Sequence, residues 1–237
     1  MILYYVRHGE PIYDPDSLTE YGHEQAKALS KRFTRLGLDE IYCSSSTRAK
    51  QTAEPTAKAL NIKPVVFEWA HEHHAWMDFS VQENGHASWC FFNNTYVEKF
   101  KSVKICNLGQ NWIKDDFFSN TNFKNGLERI NNETDKFMQS LGFEHDRKKG
   151  GYKILKTNNK RIAFFAHQGF GLAFLSSLLD IPYPIFCTNF DFGHTGVTVI
   201  NFDESAEISY PKVLQLSNDS HLYKEEILQK YGGWIDI

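Results

Sequence analysis

Ile2-Leu3-Tyr4-Tyr5-Val6-Arg7-His8-Gly9-Glu10 opens the chain, and its reading decides the fold. An unbroken apolar run suits a short strand buried on both faces, and the abrupt change to Arg-His-Gly-Glu suits a polar loop at that strand's carboxyl end. A second run of this kind stands far down the chain, where Ile162-Ala163-Phe164-Phe165-Ala166 breaks into His167-Gln168-Gly169. In an open α/β sheet, ligands gather outside the carboxyl ends of the strands. The two runs therefore direct His8 and His167 to one place.

Outward from the first run the grammar is strand, helix, strand, helix, strand. Thr19 can cap a helix reaching Leu36, with Ala26, Leu29, Phe33 and Leu36 at helical spacing and Gly37 past its end. Glu40 to Ser44 reads as a second strand, Ser46 as the cap of a helix with Ala49, Ala53, Ala57 and Leu60 on its inner face, and Lys63 to Phe67 as a third strand. Such alternation predicts a parallel sheet with crossover helices. Beyond His167, Gly169 to Leu179 reads as a nearly all-apolar helix, Gly196 to Phe202 as a β-branched strand, and Lys212 to Leu216 as an edge strand. The expected fold is a three-layer α/β/α sandwich with a mostly parallel sheet, forming one domain over residues 1–237.

About residues 84 to 150 lose the alternation and turn aromatic, with Trp89, Phe91, Phe92, Tyr96, Trp112, Phe117 and Phe118. Leu127, Ile130, Thr134, Phe137 and Leu141 keep helical spacing within it. The stretch reads as a cap inserted over the sheet's carboxyl edge, its aromatics forming a small core of their own in preference to a substrate surface. Residues 146–160 read as a loop or weak hairpin, and there is no internal repeat.

The 237 residues suffice for one sizeable core. Acids and bases are mixed along the chain and the net charge is -3, so no global basic field points to nucleic acid or an anionic membrane. No run approaches the roughly 20 apolar residues of a membrane span, and the start lacks a basic signal-peptide region. A cytoplasmic location is the default expectation. Cys43, Cys90, Cys106 and Cys187 are scattered without a CxxC pair, as free thiols in a reducing compartment would be.

A third polar element joins the two histidine loops. Ser44-Ser45-Ser46-Thr47-Arg48 follows the second strand at a helix start, where free N–H groups and the helix dipole favour an anion. Arg7 and Arg48 carry planar forks that suit a phosphate dianion, and Arg48 on a first helical turn opposes the dipole unless an anion is bound there. A neutral imidazole is nucleophilic near pH 7, and phosphoryl transfer asks mainly for positioning and charge stabilisation. No metal or organic cofactor is needed for that chemistry, although a leaving alkoxide needs a proton. His71, Glu72, His73 and His74 also invite a metal reading, since alternate residues of a strand face one way, but no second ligand cluster supports it. His194, in Phe192-Gly193-His194-Thr195-Gly196, precedes a core strand and either lines the pocket or shapes its loop.

Arg7-His8-Gly9-Glu10 resembles the opening motif of the histidine phosphatase superfamily, also called phosphoglycerate-mutase-like. Leu18-Thr19-Glu20-Tyr21-Gly22-His23-Glu24-Gln25-Ala26 is similar to the family's Leu-Thr-x-x-Gly-x-x-Gln-Ala, and Ser44 to Ala53 to its Ser-x-x-x-Arg-Ala-x-x-Thr-Ala. The resemblance covers residues 1 to about 78 and about 160 to 202, in order. It implies that His8 is phosphorylated, that Arg7 and Arg48 clamp the phosphate, and that His167 is the second pocket histidine. Glu72 is its candidate general acid, similar in place to the family's Leu-x-Glu, with Glu68, Glu83 and, less so, Asp78 as alternatives. Gln168 departs from the family by separating His167 from Gly169, which offsets the helix start and its phosphate amide. Glu10-Pro11-Ile12-Tyr13 lacks the small polar residues of the mutases, which favours a phosphatase over a mutase. The resemblance thus implies hydrolysis of a small phosphate monoester, with mutase-type transfer and a non-catalytic phospho-ligand module as alternatives. A homodimer through exposed cap aromatics is a further expectation.

Overall fold

The computed structural model describes residues 1–231 and 235–236, with side chains described through residue 229. It divides into two compact units, one of Met1–His71, Thr157–Gln168 and Phe192–Ile237, the other of Glu72–Lys156 and Gly169–Asp191. Each is described in turn.

The first unit is built on six strands: β1 (Ile2–Arg7), β2 (Glu40–Ser44), β3 (Val65–Phe67), β4 (Arg161–Ala166), β5 (Val197–Asn201) and β6 (Lys212–Asn218). They lie in the order β6-β5-β1-β4-β2-β3. β1, β4, β2 and β3 run parallel, whereas β5 is antiparallel to both β1 and β6. This is the mostly parallel sheet flanked by helices that the apolar runs imply. β3 starts at Val65 and not at Lys63, in keeping with Pro64, which has no N–H to give a ladder.

Helices α1 (Glu20–Leu36) and α2 (Thr47–Leu60) lie in this unit. The Thr19 hydroxyl accepts the Gly22 N–H at 2.9 Å, and the Ser46 hydroxyl accepts that of Ala49 at 3.3 Å, so both expected caps form. Leu29 and Phe33 of α1 and Ala53 and Ala57 of α2 pack against Tyr4, Val6, Ile41, Cys43, Ala163, Phe165 and Val197 of the sheet. Leu3 and Tyr5, which point the other way from β1, are also fully covered, as a strand buried on both faces requires. The loop after β1 lies directly on the first turn of α1. A Cβ on Gly9 would stand 2.7 Å from the Gly22 carbonyl oxygen, and one on Gly22 would stand 2.3 Å from that of Glu10. Both positions need glycine because two backbones touch there.

The second unit holds α3 (Glu72–Phe79), α4 (Phe123–Ser140) and α5 (Gln168–Leu178), whose first residue belongs to the first unit. Shorter helices over Asn94–Lys101, Val103–Leu108 and Tyr183–Asn189 complete it, with hairpins of Ser80–Glu83 on His86–Trp89 and Phe143–Asp146 on Gly151–Ile154. Its aromatics form a core, with Phe79 and Tyr183 centroids 4.6 Å apart and Trp112 and Phe118 4.9 Å apart. Each such pair adds about 0.5–1.5 kcal/mol to its area burial. Because Glu72 to Phe79 is helical, alternate residues among His71 to His74 do not share a strand face, which removes the spacing argument for a metal there. No helix among the described residues is long and apolar enough to cross a membrane, and the four cysteines are free.

A charged cluster ties the second hairpin to its helices. The His145 ring is buried between the carboxylates of Asp135 at 2.9 Å and Asp180 at 2.8 Å, and Arg147 bonds both aspartates and the Ser177 hydroxyl. Burial alone would lower the His145 pKa, but the two carboxylates outweigh it and hold the pKa above its ordinary value. A raised folded pKa gives stability that is complete below about pH 6.5 and is lost as pH climbs through the folded value. Urea unfolding of the native chain and of His145→Gln between pH 6 and 9 should therefore show their stability gap narrowing as pH rises. A gap that does not change with pH would contradict a charged His145.

Candidate active site

Strand order explains how distant residues meet. Arg7 pairs with Ala166 across parallel β1 and β4, so His8 and His167 are the next residues on neighbouring strands, which lie roughly 4.8 Å apart. Their ring centroids are 5.2 Å apart. On the other side of β4, Cys43 of β2 pairs with Phe165, which delivers Ser44, Ser46 and the start of α2 to the same edge. β5 begins at Val197 opposite Val6, so the loop before it brings His194 there as well, its ring 5.8 Å from that of His8.

Arg7, His8, Arg48 and His167 are thus one cluster. The His8 Nδ1–H donates to its neighbour's carbonyl, Gly9 O, at 2.7 Å, which assigns the ring proton to Nδ1 and leaves the lone pair on Nε2. Desolvation by burial, followed by the charges of His167, Arg7 and Arg48, drives the His8 pKa well below its ordinary value. His8 is therefore a neutral imidazole at neutral pH.

His167 is fully buried, and its Nε2 lies 2.8 Å from the Ser44 hydroxyl and 3.3 Å from that of Ser46. Ser44 already accepts the Ser46 N–H, so its own proton is free to go to Nε2. The ring proton then sits on Nδ1, which has no hydrogen-bond partner among the described residues. Desolvation, then the charges of Arg48, His71 and Arg7, keeps this ring neutral too. His167 thus offers a buried N–H donor in search of an acceptor. The Tyr5 hydroxyl fixes its backbone, donating to the His167 carbonyl at 2.5 Å and accepting its N–H at 3.2 Å.

Arg7 is half-buried and donates through Nη1 to the Phe192 carbonyl. Arg48 is buried; Nη1 bonds the Asp16 carboxylate at 2.7 Å, while Nε has no partner among the described residues. His194 is half-buried, neither ring nitrogen has a hydrogen-bond partner among the described residues, and its pKa is lowered to about 3 by burial and then by Arg7. Gln168 is half-buried at the first position of α5.

Glu72 is the first residue of α3 in the second unit. Its two oxygens accept the Gly169 N–H at 2.9 Å and the Phe170 N–H at 3.0 Å, so the α5 amide beyond Gln168 goes to this carboxylate. Of the other acids, Glu68 is exposed in the turn after β3. Glu83 is exposed and accepts bonds from Thr95 and Asn93, which lower its pKa, and Asp78 is bonded by Arg129 and Asn122. Sequence reasoning did not anticipate Asp16 and Tyr5 as partners of the cluster. It gave Ser44 and His71 other roles, whereas Ser44 bonds His167 and the His71 ring lies 6.2 Å from it.

Buried neutral histidines, two guanidinium groups and a helix start stand together at this edge of the sheet. Residues 3–86 match the model of the histidine phosphatase superfamily (branch 1). The fold is shared with solved structures of phosphatases. With a phosphoserine phosphatase from Entamoeba histolytica in complex with 3-phosphoglyceric acid, the chain is 17% identical at a TM-score of 0.59, covering 93% of this chain and 98% of that one. For an α-ribazole phosphatase from Shigella flexneri the values are 19%, 0.58, 92% and 97%, and for a mycobacterial glucosyl-3-phosphoglycerate phosphatase they are 14%, 0.57, 91% and 98%. No curated protein matches the chain by sequence. The family model thus matches the first part of the chain, which carries β1, α1, β2, α2 and β3, and the solved phosphatases share the fold of the whole.

Buried neutral histidines set a pH dependence opposite in sign to that of His145. His221, whose Nε2 lies 3.1 Å from the Thr195 hydroxyl, has a pKa lowered to about 3 by burial and then by Arg32. The unfolded chain takes up a proton that the folded ring refuses, so this stability is complete above about pH 6.5 and falls by about 1.4 kcal/mol per histidine for each pH unit below it. Unfolding free energies at pH 7.5 and 5 should drop steeply for the native chain and by about 1–2 kcal/mol less for His221→Gln. An equal drop in both would show that His221 is already protonated in the folded state.

Proposed function

We propose that the protein is a phosphatase that hydrolyses a small phosphate monoester through a phosphohistidine on His8. The tautomer of His8 carries this reading. A ring that is neutral, buried, protonated at Nδ1 and open at Nε2 is a nucleophile, and around it stand the groups that a phosphoryl dianion requires.

In the first step His8 Nε2 attacks phosphorus in line with the leaving oxygen. Arg7, the free edge of Arg48 and the His167 Nδ1–H hold the non-bridging oxygens, and Gln168 stands at the same loop to contact them. Glu72 is the proposed proton donor to the leaving alkoxide. Its two N–H bonds fix the plane of the carboxyl group. In the second step water, deprotonated by the same carboxylate, attacks phospho-His8 and releases inorganic phosphate. Neither step calls for a metal. The names of the solved enzymes that share the fold support a small phosphorylated molecule as substrate, since all are phosphatases of small metabolites.

Hydrolysis of p-nitrophenyl phosphate with chelator present tests the reading. His8→Ala is expected to lose at least about three decades in kcat, and a rapid acid-labile phosphoenzyme should form with the native chain alone. Activity that survives His8→Ala, or that chelation removes, would overturn it. Glu72→Gln should cost about 10²–10⁴-fold with an alkyl phosphate and far less with p-nitrophenyl phosphate, whose leaving group needs no proton. An equal loss with both substrates would remove Glu72 from the acid role.

A further inference from the structure

Residues Pro11–Tyr13 and Asp16–Leu18 pair as a short antiparallel hairpin between β1 and α1. Asp16 faces the start of α2 from it. One carboxylate oxygen accepts the Thr47 N–H and the other accepts Arg48 Nη1, both at 2.7 Å. The hairpin is tied to α2 a second time, since the Leu18 N–H donates to the Gln51 side chain at 2.7 Å, and the Tyr13 ring lies 5.6 Å from the Arg48 guanidinium carbon. Asp16 is the anion that reconciles Arg48 with its place on a first helical turn: it satisfies an orphan N–H of α2 and offsets a cation set against the dipole.

The bonding pattern of Arg48 is lopsided. Nη1 is held, whereas Nε is buried without a partner among the described residues. A buried guanidinium N–H left without an acceptor is costly, so the Nε edge is where a ligand oxygen belongs. That edge can give two parallel N–H bonds to two oxygens of one phosphoryl group. The Arg48 charge also acts on both His8 and His167, which sets it beside the atoms that react.

We propose that Asp16 is a positioning residue, which holds Arg48 by Nη1 and the first N–H of α2 so that the Nε edge of Arg48 is presented to the substrate's phosphoryl group. This rests on the phosphatase reading and extends it to a residue that touches no substrate atom. Without the carboxylate, a long side chain with several rotors keeps its charge but loses its orientation, and a bidentate contact becomes a loose ionic one.

Steady-state kinetics and inhibition by inorganic phosphate test this with Asp16→Ala, Asp16→Asn, Arg48→Ala and the Asp16→Ala/Arg48→Ala double variant. Asp16→Ala should raise KM and the phosphate inhibition constant about tenfold, with a smaller fall in kcat. Asp16→Asn, which keeps one acceptor oxygen, should fall between it and the native chain, and it serves alone if Asp16→Ala does not fold. In the Arg48→Ala background, removing Asp16 should change the phosphate constant less than twofold, a coupling that a general loss of stability would not produce. Tighter phosphate binding in Asp16→Ala or Asp16→Asn would show a carboxylate that competes with substrate, and an equal factor in both backgrounds would show one that does not act through Arg48. Either overturns the proposal. If His8→Ala abolishes turnover while the Asp16 variants behave as the native chain, this inference fails and the phosphatase reading stands.

Discussion

The parallel pairing of β1 with β4 is the constraint on which the site depends. Arg7 sits opposite Ala166, and each strand ends one residue later in a histidine. A slip of one residue would turn Tyr4 and Val6 away from the α1 and α2 side and carry the histidines out of step, so the apolar core and the site are fixed by one register. β4 also pairs with β2, and through it the Ser46 cap and Arg48 arrive from a third segment. The helix cap that starts α2 is therefore also a pocket wall: Ser46 both receives the Ala49 N–H and contacts His167.

Placing two imidazoles 5.2 Å apart in the protein interior, with two guanidinium groups beside them, decides their charge before any substrate binds. Desolvation and like charge act in the same direction on both rings, and both stay neutral. Neighbouring groups then give the rings different tasks. A carbonyl takes the Nδ1 proton of His8 and frees its Nε2 lone pair, whereas hydroxyls at Nε2 of His167 leave its Nδ1–H free to donate. The same residue type presents a lone pair on one strand and a hydrogen-bond donor on the next because of what each strand end places beside it.

Much of this was legible in the sequence, for a physical reason. β1 and β4 are buried on both faces, so they show as uninterrupted apolar runs whose ends are unmistakable. The Thr19 and Ser46 caps carry local signatures. Less was legible where the partner is remote or the pattern short. Eight residues from Glu72 to Phe79 hold too few apolar positions to tell strand from helix, and they fold as a helix. Asp16 is a plain turn acid until α2, some 30 positions on, comes to lie beside it. Ser44 and Tyr5 likewise gain their parts only when β4 delivers His167.

The start of α5 shows what one such remote contact does to a helix N-terminus. A glycine-led helix after a strand would ordinarily offer its first-turn amides to a phosphate. Here Gln168 shifts the glycine by one, and the Gly169 and Phe170 amides donate to the two oxygens of Glu72. On the proposed reading, the phosphoryl group is then held by side chains, since those amides have an anion of their own. Backbone amides come pre-oriented by a helix, but guanidinium groups do not, so their geometry must be set by further contacts. Arg7 has the Phe192 carbonyl and Arg48 has Asp16. The helix amides orient the Glu72 carboxylate and a hairpin carboxylate orients an arginine, so on the proposed reading the fixed backbone donors serve the acid and the phosphate clamps depend on side-chain bonds for their rigidity.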